Sequence, residues 1–228
     1  MKIIEAIELK KYYTRGIETV KALDGVNFDI SPGEIVAIVG PSGSGKTTLM
    51  NLISCLDNAS EGTLKIDGTD VTNLKESQLI MIRRDNIGFI FQQFYLIPTL
   101  TVKENIELPS IFANQKLSPE LLNSVISKIG LTGKENLPVK MLNSGDKQRV
   151  SIARALIGSP RLIIADEPTG KLENKVRDDI LKIFKELAEQ NIAIFIATHD
   201  LELAENAHRI IHLQDGKIVP KEESDLYE

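Results

Sequence analysis

The chain has 228 residues, a formal net charge of -5 and a sequence pI near 5.4, so it offers no basic surface for nucleic acid. Its single cysteine, Cys55, excludes an internal disulfide and is expected to contribute only to packing. No apolar run approaches the roughly 18 to 20 residues that span a bilayer, and the opening residues MKIIEAIELK match neither a signal peptide nor a membrane anchor. These features favour a cytosolic protein that reaches a membrane only through a partner.

Short strand patterns separated by turn signals fill the first third of the chain. The patterns are EAIELKKYY, VNFDI and TLKIDGTDV, and the turn signals are Ser31-Pro32-Gly33 and Asp67-Gly68. Their spacing predicts antiparallel strands.

Nearly continuous apolar runs extend from Glu34 to Val39, from Leu162 to Asp166 and from Ala193 to Thr198. Such runs are typical of parallel strands that are covered on both faces. Between the last two runs, apolar residues keep helical spacing at Val176, Ile180, Ile183, Phe184 and Leu187. The pattern predicts a βαβ unit.

The middle of the chain has weak strand signals and several short helical patterns. These patterns are interrupted at Pro98, Pro109, Gly130 and Pro138. We therefore expect a helical subdomain over residues 94–158, inserted into an α/β core with its antiparallel layer over residues 1–93 and 159–228.

The run GPSGSGKTT, from Gly40 to Thr48, follows the strand EIVAIV and precedes a helical pattern. That helix is predicted from Leu49, Leu52, Ile53 and Leu56. The run matches the phosphate-binding motif in its required context, because its glycines let backbone N–H groups surround phosphate oxygens. We expect Lys46 to reach the β- and γ-phosphates and Thr47 to bind Mg²⁺. The alternative is a plain Gly/Ser turn.

Two adjacent carboxylates, Asp166 and Glu167, end a buried strand at the edge where α/β sheets bind ligands. Taken with the phosphate-binding motif, they suggest that Asp166 holds Mg²⁺ through water and that Glu167 polarises an attacking water as a general base. Without that motif, such a pair is as often merely solvated.

The stretch MLNSGDKQRVSIARALIGSP, from Met141 to Pro160, passes from polar residues into a helix. The apolar face of this helix carries Val150, Ala153, Leu156 and Ile157. Free backbone N–H groups and the helix dipole make such a start an anion site. On this stretch alone, an ordinary Ser/Asn/Asp cap is the favoured interpretation.

Five motifs follow one another along nearly the whole chain: GPSGSGKTT, FIFQQF, RVSIARAL, LIIADEPTG and IATHD. In this order they resemble the ATP-binding subunits of ABC transporters. The segments SCLDNASEG, RRDNIGFIFQQFYLIPTLTVKENIELP and ADEPTG resemble the lipoprotein-release and macrolide-export group, the LolD and MacB type. The resemblance implies one ABC ATPase domain over residues 1–228, an α/β fold with a P-loop NTPase core, a mostly parallel sheet, an antiparallel β layer and a helical insertion.

The resemblance also implies roles for three further side chains. Tyr13 matches the aromatic residue that stacks on adenine, and Gln92 the glutamine that reaches Mg²⁺ and the attacking water. His199 matches the histidine that contacts the γ-phosphate. Each has a plain structural alternative, as a strand tyrosine, an inert strand-end glutamine or a structural histidine. The implied ATP contacts are Tyr13, Gly40, Pro41, Ser42, Gly43, Ser44, Gly45, Lys46, Thr47, Thr48, Asn143, Ser144 and Gly145.

In ABC ATPases two subunits face head to tail, and a Leu-Ser-Gly-Gly signature caps the γ-phosphate held by the other subunit. An ungapped comparison gives Leu142, Asn143, Ser144 and Gly145 here, so Asn143 replaces the serine and Ser144 a glycine. A register with one deletion would instead keep Ser144-Gly145 as the Ser-Gly pair. In both registers the signature is altered, and a Cβ in place of a glycine can hold the helix end away from a phosphate.

Two more departures fall on the expected dimer interface: Lys171 at a small-residue position and Glu173 where an aspartate is usual. The resemblance therefore implies normal binding of ATP and Mg²⁺ but weaker closure of the dimer.

The function expected from the sequence is ATP hydrolysis that drives or gates an integral membrane permease of an export complex. The expected partners are that permease and a second ATPase subunit, identical or paralogous, on the inner face of the cell membrane. The alternative is a regulatory ATPase that signals to a membrane partner without transport. A DNA-repair ABC ATPase would carry long heptad runs, which this sequence lacks, and a small-molecule kinase would not explain Gln92, His199 and the signature together.

Overall fold

The computed structural model describes residues 1–16, 18–170 and 172–224. The strands in these residues are β1 (Ile4–Arg15), β2 (Glu18–Ile30), β3 (Ile35–Val39), β4 (Glu61–Ile66), β5 (Thr69–Asp70), β6 (Ile87–Ile90), β7 (Leu162–Asp166), β8 (Ala193–Ala197), β9 (Arg209–Gln214) and β10 (Lys217–Val219). The helices are α1 (Lys46–Ile53), α2 (Glu76–Asn86), α3 (Val102–Phe112), α4 (Pro119–Lys128), α5 (Ser144–Leu156), α6 (Asn174–Glu189), α7 (Leu201–Ala204) and α8 (Lys221–Ser224). A 3-10 turn covers Val139–Met141.

The strands form two sheets. One is antiparallel with the order β2-β1-β4-β5, and the other has the order β10-β9-β3-β8-β7-β6. In the second sheet β3, β6, β7, β8 and β9 run parallel, and β10 is antiparallel to β9. The predicted α/β class, with a mostly parallel sheet and an antiparallel layer, is confirmed.

Both faces of the mostly parallel sheet are buried, which explains its unbroken apolar strands. Along β7, Ile163 belongs to the core beneath α3 to α6, whereas its neighbours Leu162 and Ile164 belong to the core beneath α1 and the antiparallel sheet. The rings of Phe28 on β2 and Phe195 on β8 lie 6.1 Å apart and join the two sheets. Burial on two sides fixes the positions of the loops that leave this sheet.

Two local predictions are wrong. Pro109 does not break its helix, because α3 begins with a capping box between Thr101 and Glu104 and buries Val102 and Ile106, which offsets one lost backbone hydrogen bond. The helix after the phosphate-binding motif ends at Ile53 and does not continue to Leu56, which is 55% exposed.

The hairpin of β9 and β10 was not predicted, although a signal for it exists in the sequence. Asp215 and Gly216 connect the strands and both have positive φ, of 46° and 75°. Asp-Gly is a strong two-residue hairpin signal. This turn lies beside the phosphate-binding motif, because Gly216 N–H donates to the Ser44 carbonyl oxygen.

None of the helices in the described part of the chain is long and apolar enough to cross a bilayer.

Candidate nucleotide-binding site

Four loops leave the same edge of the mostly parallel sheet, at the carboxyl ends of neighbouring strands. Gly40 follows β3, Thr198 follows β8, Glu167 follows β7, and Gln92 lies two residues beyond β6. Open α/β sheets bind ligands at this edge. The topology therefore gathers residues that are widely separated in the sequence.

Residues 40–45 form the loop that leads into α1, and the first three residues of this helix, Lys46 to Thr48, complete the motif. Gly45 has a φ of 108°, and a Cβ there would come within 2.5 Å of the Ala22 carbonyl oxygen, so only glycine fits. The Lys46 ammonium donates to the carbonyl oxygens of Gly40 (2.6 Å) and Pro41 (2.9 Å). Lys46 is thus folded back along the loop that it is expected to complete.

The surroundings of Lys46 shift the pKa of its ammonium in opposing directions. Burial lowers the pKa of its ammonium, and the carboxylates of Glu167 and Asp166 oppose that shift. A partly desolvated cation at the start of a helix suits a polyanion.

An open cavity of about 460 Å³ lies against the loop, within the size range of small-ligand pockets. It is lined by Val20, Lys21, Ala22, Ser42, Gly43, Gly45, Lys46, Thr47, Thr48, Asp215 and Gly216. Tyr13 on β1 pairs with Val20 on β2, and Val20 lines the cavity. Tyr13 is therefore at the rim of this cavity, with 36% of its surface exposed.

Asp166 is the last residue of β7 and Glu167 follows it, and the two carboxylates lie in different environments. Burial, and next the charge of Glu167, raise the pKa of the Asp166 carboxyl, while Lys46 lowers it. Glu167 has a φ of 44°, an unusual left-handed conformation for a side-chain-bearing residue. Such strain at a sheet edge is typical of functional positions.

Two hydrogen-bond donors and a histidine ring nitrogen surround the Glu167 carboxylate. Its Oε2 atom accepts from the Thr198 hydroxyl (2.9 Å), and its Oε1 atom accepts from the His199 backbone N–H (2.8 Å). The Nδ1 atom of His199 lies 2.6 Å from Oε1. The Thr198 side chain is fully buried, whereas 74% of the His199 side chain is exposed. The sequence offered His199 as a candidate but gave no role to the Thr198 hydroxyl.

Gln92 lies near the same corner. A Cβ built on Gly170 would be 3.6 Å from Gln92 Nε2 and 3.8 Å from Glu167 Cβ. The loop after β6 and the loop after β7 therefore meet at Gly170.

The donor set fits a hard cation. Within the described residues, no three His, Cys, Asp or Glu side chains cluster to hold a metal. A cation here would draw on oxygens of mixed type, from the Thr47 hydroxyl, the Asp166 carboxylate and the Gln92 amide. Mg²⁺ accepts few protein carboxylates and completes its shell with phosphate and water oxygens. In addition, Ser44 Oγ is buried and has no partner among the described residues, so the loop keeps an unsatisfied polar atom.

The altered signature forms the start of α5. The Asn143 side-chain oxygen accepts from the Asp146 N–H at 2.8 Å, so Asn143 is the N-cap of this helix. Gly145 is buried against Val176 of α6, and an added Cβ would come within 2.7 Å of that side chain. The buried Gln148 donates to the Pro168 carbonyl oxygen and ties α5 to the loop after the acidic pair.

The signature lies apart from the phosphate-binding loop of the same chain. Across the parts of the chain that the structure describes, no hydrogen bond or ion pair joins Asn143, Ser144 or Gly145 to residues 40–48. Of the two interface departures, Glu173 is the N-cap of α6 without a side-chain cap bond, and Lys171 lies outside the described residues.

This fold and this loop define a phosphate-loop ATPase. The sequence profile of the ABC transporter family matches residues 23–170. The chain therefore belongs to the ABC transporter family, as an ATP-binding cassette with ATPase activity.

The chain covers its known relatives to different extents. The chain is 43% identical to the macrolide export ATP-binding/permease protein MacB of Mannheimia succiniciproducens, over 96% of this chain but 34% of that protein. It is 42% identical to the uncharacterized ABC transporter ATP-binding protein YknY of Bacillus subtilis, over 96% of both. The chain thus spans about a third of the macrolide-export relatives and nearly all of the other one.

Solved structures agree with this assignment. The ATP-binding cassette MJ0796, in a dimeric post-hydrolysis state bound to ADP and Pi, superposes with a TM-score of 0.85 and 41% identity, over 95% of this chain and 97% of that one. A second dimeric structure of MJ0796, a bacterial ABC transporter cassette, gives 0.85 and 42%, over the same shares.

Proposed function

We propose that this chain is the ATP-hydrolysing subunit of a membrane export complex, in which ATP closes it against a second ATPase subunit and thereby drives or gates a permease. The observation that carries this proposal is the convergence of Lys46 and the acidic pair, with the Glu167 carboxylate held by Thr198 and His199.

The phosphate end of ATP lies along residues 40–48 in this proposal. Backbone N–H groups of the loop and the start of α1 receive the phosphate oxygens, and Lys46 exchanges its bonds to Gly40 and Pro41 for bonds to the β- and γ-phosphates. Thr47, Asp166 and Gln92 are the proposed ligands of Mg²⁺, which supplies charge neutralisation when bound. Burial in the loop strengthens each of these contacts.

Glu167 is the proposed general base for the attacking water. Thr198 and the His199 backbone fix its carboxylate in one orientation, so that the base needs no reorganisation during the reaction. The exposed imidazole of His199 is the proposed γ-phosphate contact. When the imidazole turns towards the phosphate, Glu167 Oε1 loses its contact with Nδ1 and keeps the hydrogen bond from the His199 backbone N–H.

The second subunit supplies the signature helix. The cap at Asn143 favours the ungapped register, because capping oxygens belong at this position of a helix. Asn143 uses its side-chain oxygen on its own helix, which leaves its amide NH₂ as the donor towards a partner's γ-phosphate. We expect closure to be weaker by about 1 to 3 kcal/mol if one charge-assisted hydrogen bond is lost per site.

These features favour a heterodimer with a paralogue that carries an intact signature. In such a pair, the paralogue's signature would complete the site built on Lys46 and Glu167, while Asn143 and Ser144 would cap the weaker site.

In this proposal the ATPase acts together with an integral membrane permease, on the inner face of the cell membrane. Support comes from the export relatives, whose names join an ATP-binding part and a permease. The same names favour export over a purely regulatory role.

Purification of the tagged chain from its own membranes tests the export proposal. An integral membrane protein should copurify, and the reconstituted complex should hydrolyse ATP faster than the isolated chain. The matched Lys46→Ala chain should bring down the same partner without hydrolysis. A chain that hydrolyses ATP equally well with and without membrane components would contradict the coupling.

A further inference from the structure

A partly buried ion pair lies beside Tyr13. The Lys11 ammonium is 2.6 Å from Asp57 Oδ1, and the Tyr13 hydroxyl donates to Asp57 Oδ2 at 2.8 Å. The same ammonium lies 4.9 Å from the centroid of the Tyr13 ring, in the geometry of a cation–π contact. Asp57 thus holds the tip of the ring while Lys11 covers one of its faces.

Asp57 is itself fixed by the chain that follows α1. Its backbone N–H donates to the Asn51 carbonyl oxygen at 3.2 Å, and its Oδ1 atom accepts from the Asn58 N–H at 2.7 Å. Lys11 also donates to the Asn58 carbonyl oxygen at 2.8 Å. Since α1 starts in the phosphate-binding loop, the contacts of Asp57 connect the ring of Tyr13 to the helix that starts in this loop.

The Asp57 carboxylate and the Tyr13 hydroxyl have protonation states that favour a stable hydrogen bond between them. Burial opposes ionisation of Asp57, but hydrogen bonds from Lys11 and Tyr13 outweigh it and lower the pKa of the carboxyl. Burial, and then the hydrogen bond to Asp57, raise the pKa of the Tyr13 hydroxyl, which therefore stays protonated. The Lys11 and Asp57 side chains are 12% and 29% exposed, so solvent screens this pair less than a surface pair.

We propose that Asp57 and Lys11 are positioning residues that hold the Tyr13 ring ready to stack on the nucleobase. The inference rests on the proposed ATP site. Lys11 covers one ring face, so the other face is the one available to a purine. A ring that is fixed before binding loses less conformational entropy when the base binds. The effect should therefore raise the affinity for ligands that carry a base and leave the affinity for ligands without one unchanged.

The test compares a ligand that has a base with one that has none. Binding of Mg-ATP and of inorganic tripolyphosphate is measured by calorimetry for the parent, Tyr13→Ala, Tyr13→Phe, Asp57→Ala and Asp57→Asn proteins. Asp178→Asn, a change of an exposed carboxylate on α6, serves as the matched control.

Loss of the anchor should weaken ATP binding about 3- to 10-fold, the effect of freeing one side chain, and leave tripolyphosphate binding unchanged. In a Tyr13→Ala background, Asp57→Ala should cause no further loss, because Asp57 acts through the ring. The Asp57→Asn and Tyr13→Phe proteins keep the local shape and provide the answer should Asp57→Ala unfold.

Three results would overturn the inference. They are equal losses for ATP and tripolyphosphate, an added loss from Asp57→Ala without the Tyr13 ring, and no effect of Tyr13→Ala on ATP. By contrast, a parent protein that binds neither ligand would overturn the proposed function itself.

Discussion

Glu167 Oε1 lies 2.6 Å from Nδ1 of His199 and accepts a hydrogen bond from the backbone N–H of the same residue at 2.8 Å. The imidazole is mostly exposed, whereas the carboxylate is 14% exposed. The proposed base is thus fixed by its buried side, and the histidine remains free to turn towards a ligand.

We predict that Glu167→Gln keeps ATP binding within about 2-fold and lowers turnover by at least about 100-fold, because the amide keeps the shape and loses the base. Phosphate release measured under single-turnover conditions checks this. The exposed Glu189→Gln change is the control. Parent-level hydrolysis by the Glu167→Gln protein would refute the assignment of the base.

The Thr198 hydroxyl gives a second prediction. Thr198→Val removes one donor from the Glu167 carboxylate in a fully buried position, so turnover should fall about 10-fold while ATP affinity stays near that of the parent. Thr198→Ser retains a hydroxyl and should restore most of the rate. Steady-state kinetics of the three proteins decides the matter, and identical rates for valine and threonine would remove Thr198 from the account.

Lys46→Ala should weaken ATP binding about 10- to 100-fold, since a charge-assisted hydrogen bond contributes about 1.5 to 3 kcal/mol. The fold should survive, because within the described residues the Lys46 ammonium hydrogen-bonds to carbonyl oxygens of the loop just before it and to no other group. Lys116→Ala, at an exposed lysine, is the control for charge. Calorimetry that finds unchanged ATP affinity in the Lys46→Ala protein would end the phosphate-binding assignment.

Asp166 allows a prediction about pH. The folded state raises the pKa of this carboxyl, so it binds the proton more tightly than the unfolded chain does. Stability is therefore lost as pH rises from the ordinary pKa of 3.8 through the raised value, and the loss persists at neutral pH.

Asp166→Asn should accordingly raise the melting temperature of the ligand-free protein at pH 7 while it weakens Mg²⁺-dependent ATP binding. The gain should shrink below the ordinary aspartate pKa, where Asp166 is protonated in both states. Thermal melts at several pH values test this, and a lower melting temperature at pH 7 would contradict it.

The sequence was sufficient for the fold class because its signals are local. Glu34 to Val39 and Ala193 to Thr198 are unbroken apolar runs, and burial of both sheet faces demands such runs. Pro109 was misjudged because the packing of Val102 and Ile106 decides whether a helix survives a proline, and that packing is tertiary.

Some residues of the candidate site could be predicted from local sequence, whereas others are brought together only by tertiary packing. The glycines and Lys46 of the phosphate-binding loop are contiguous, so a motif reveals them. Tyr13 and Asp57 are 44 residues apart, and no local pattern links a strand tyrosine to an aspartate beyond a helix. They come together because β1 contacts residues 57–60, the segment that follows α1.

We propose that the nucleotide-binding half of this chain is complete while its signature is impaired. Restoration of the family pattern by Asn143→Ser with Ser144→Gly should therefore strengthen ATP-dependent closure, because a bare backbone can approach the phosphate of the other subunit.

Sedimentation velocity with Mg-ATP in the Glu167→Gln background measures this closure without turnover. We predict a monomer with the native Asn143-Ser144 pair and a dimer after the double change. A tight dimer with the native pair, unimproved by the double change, would contradict it.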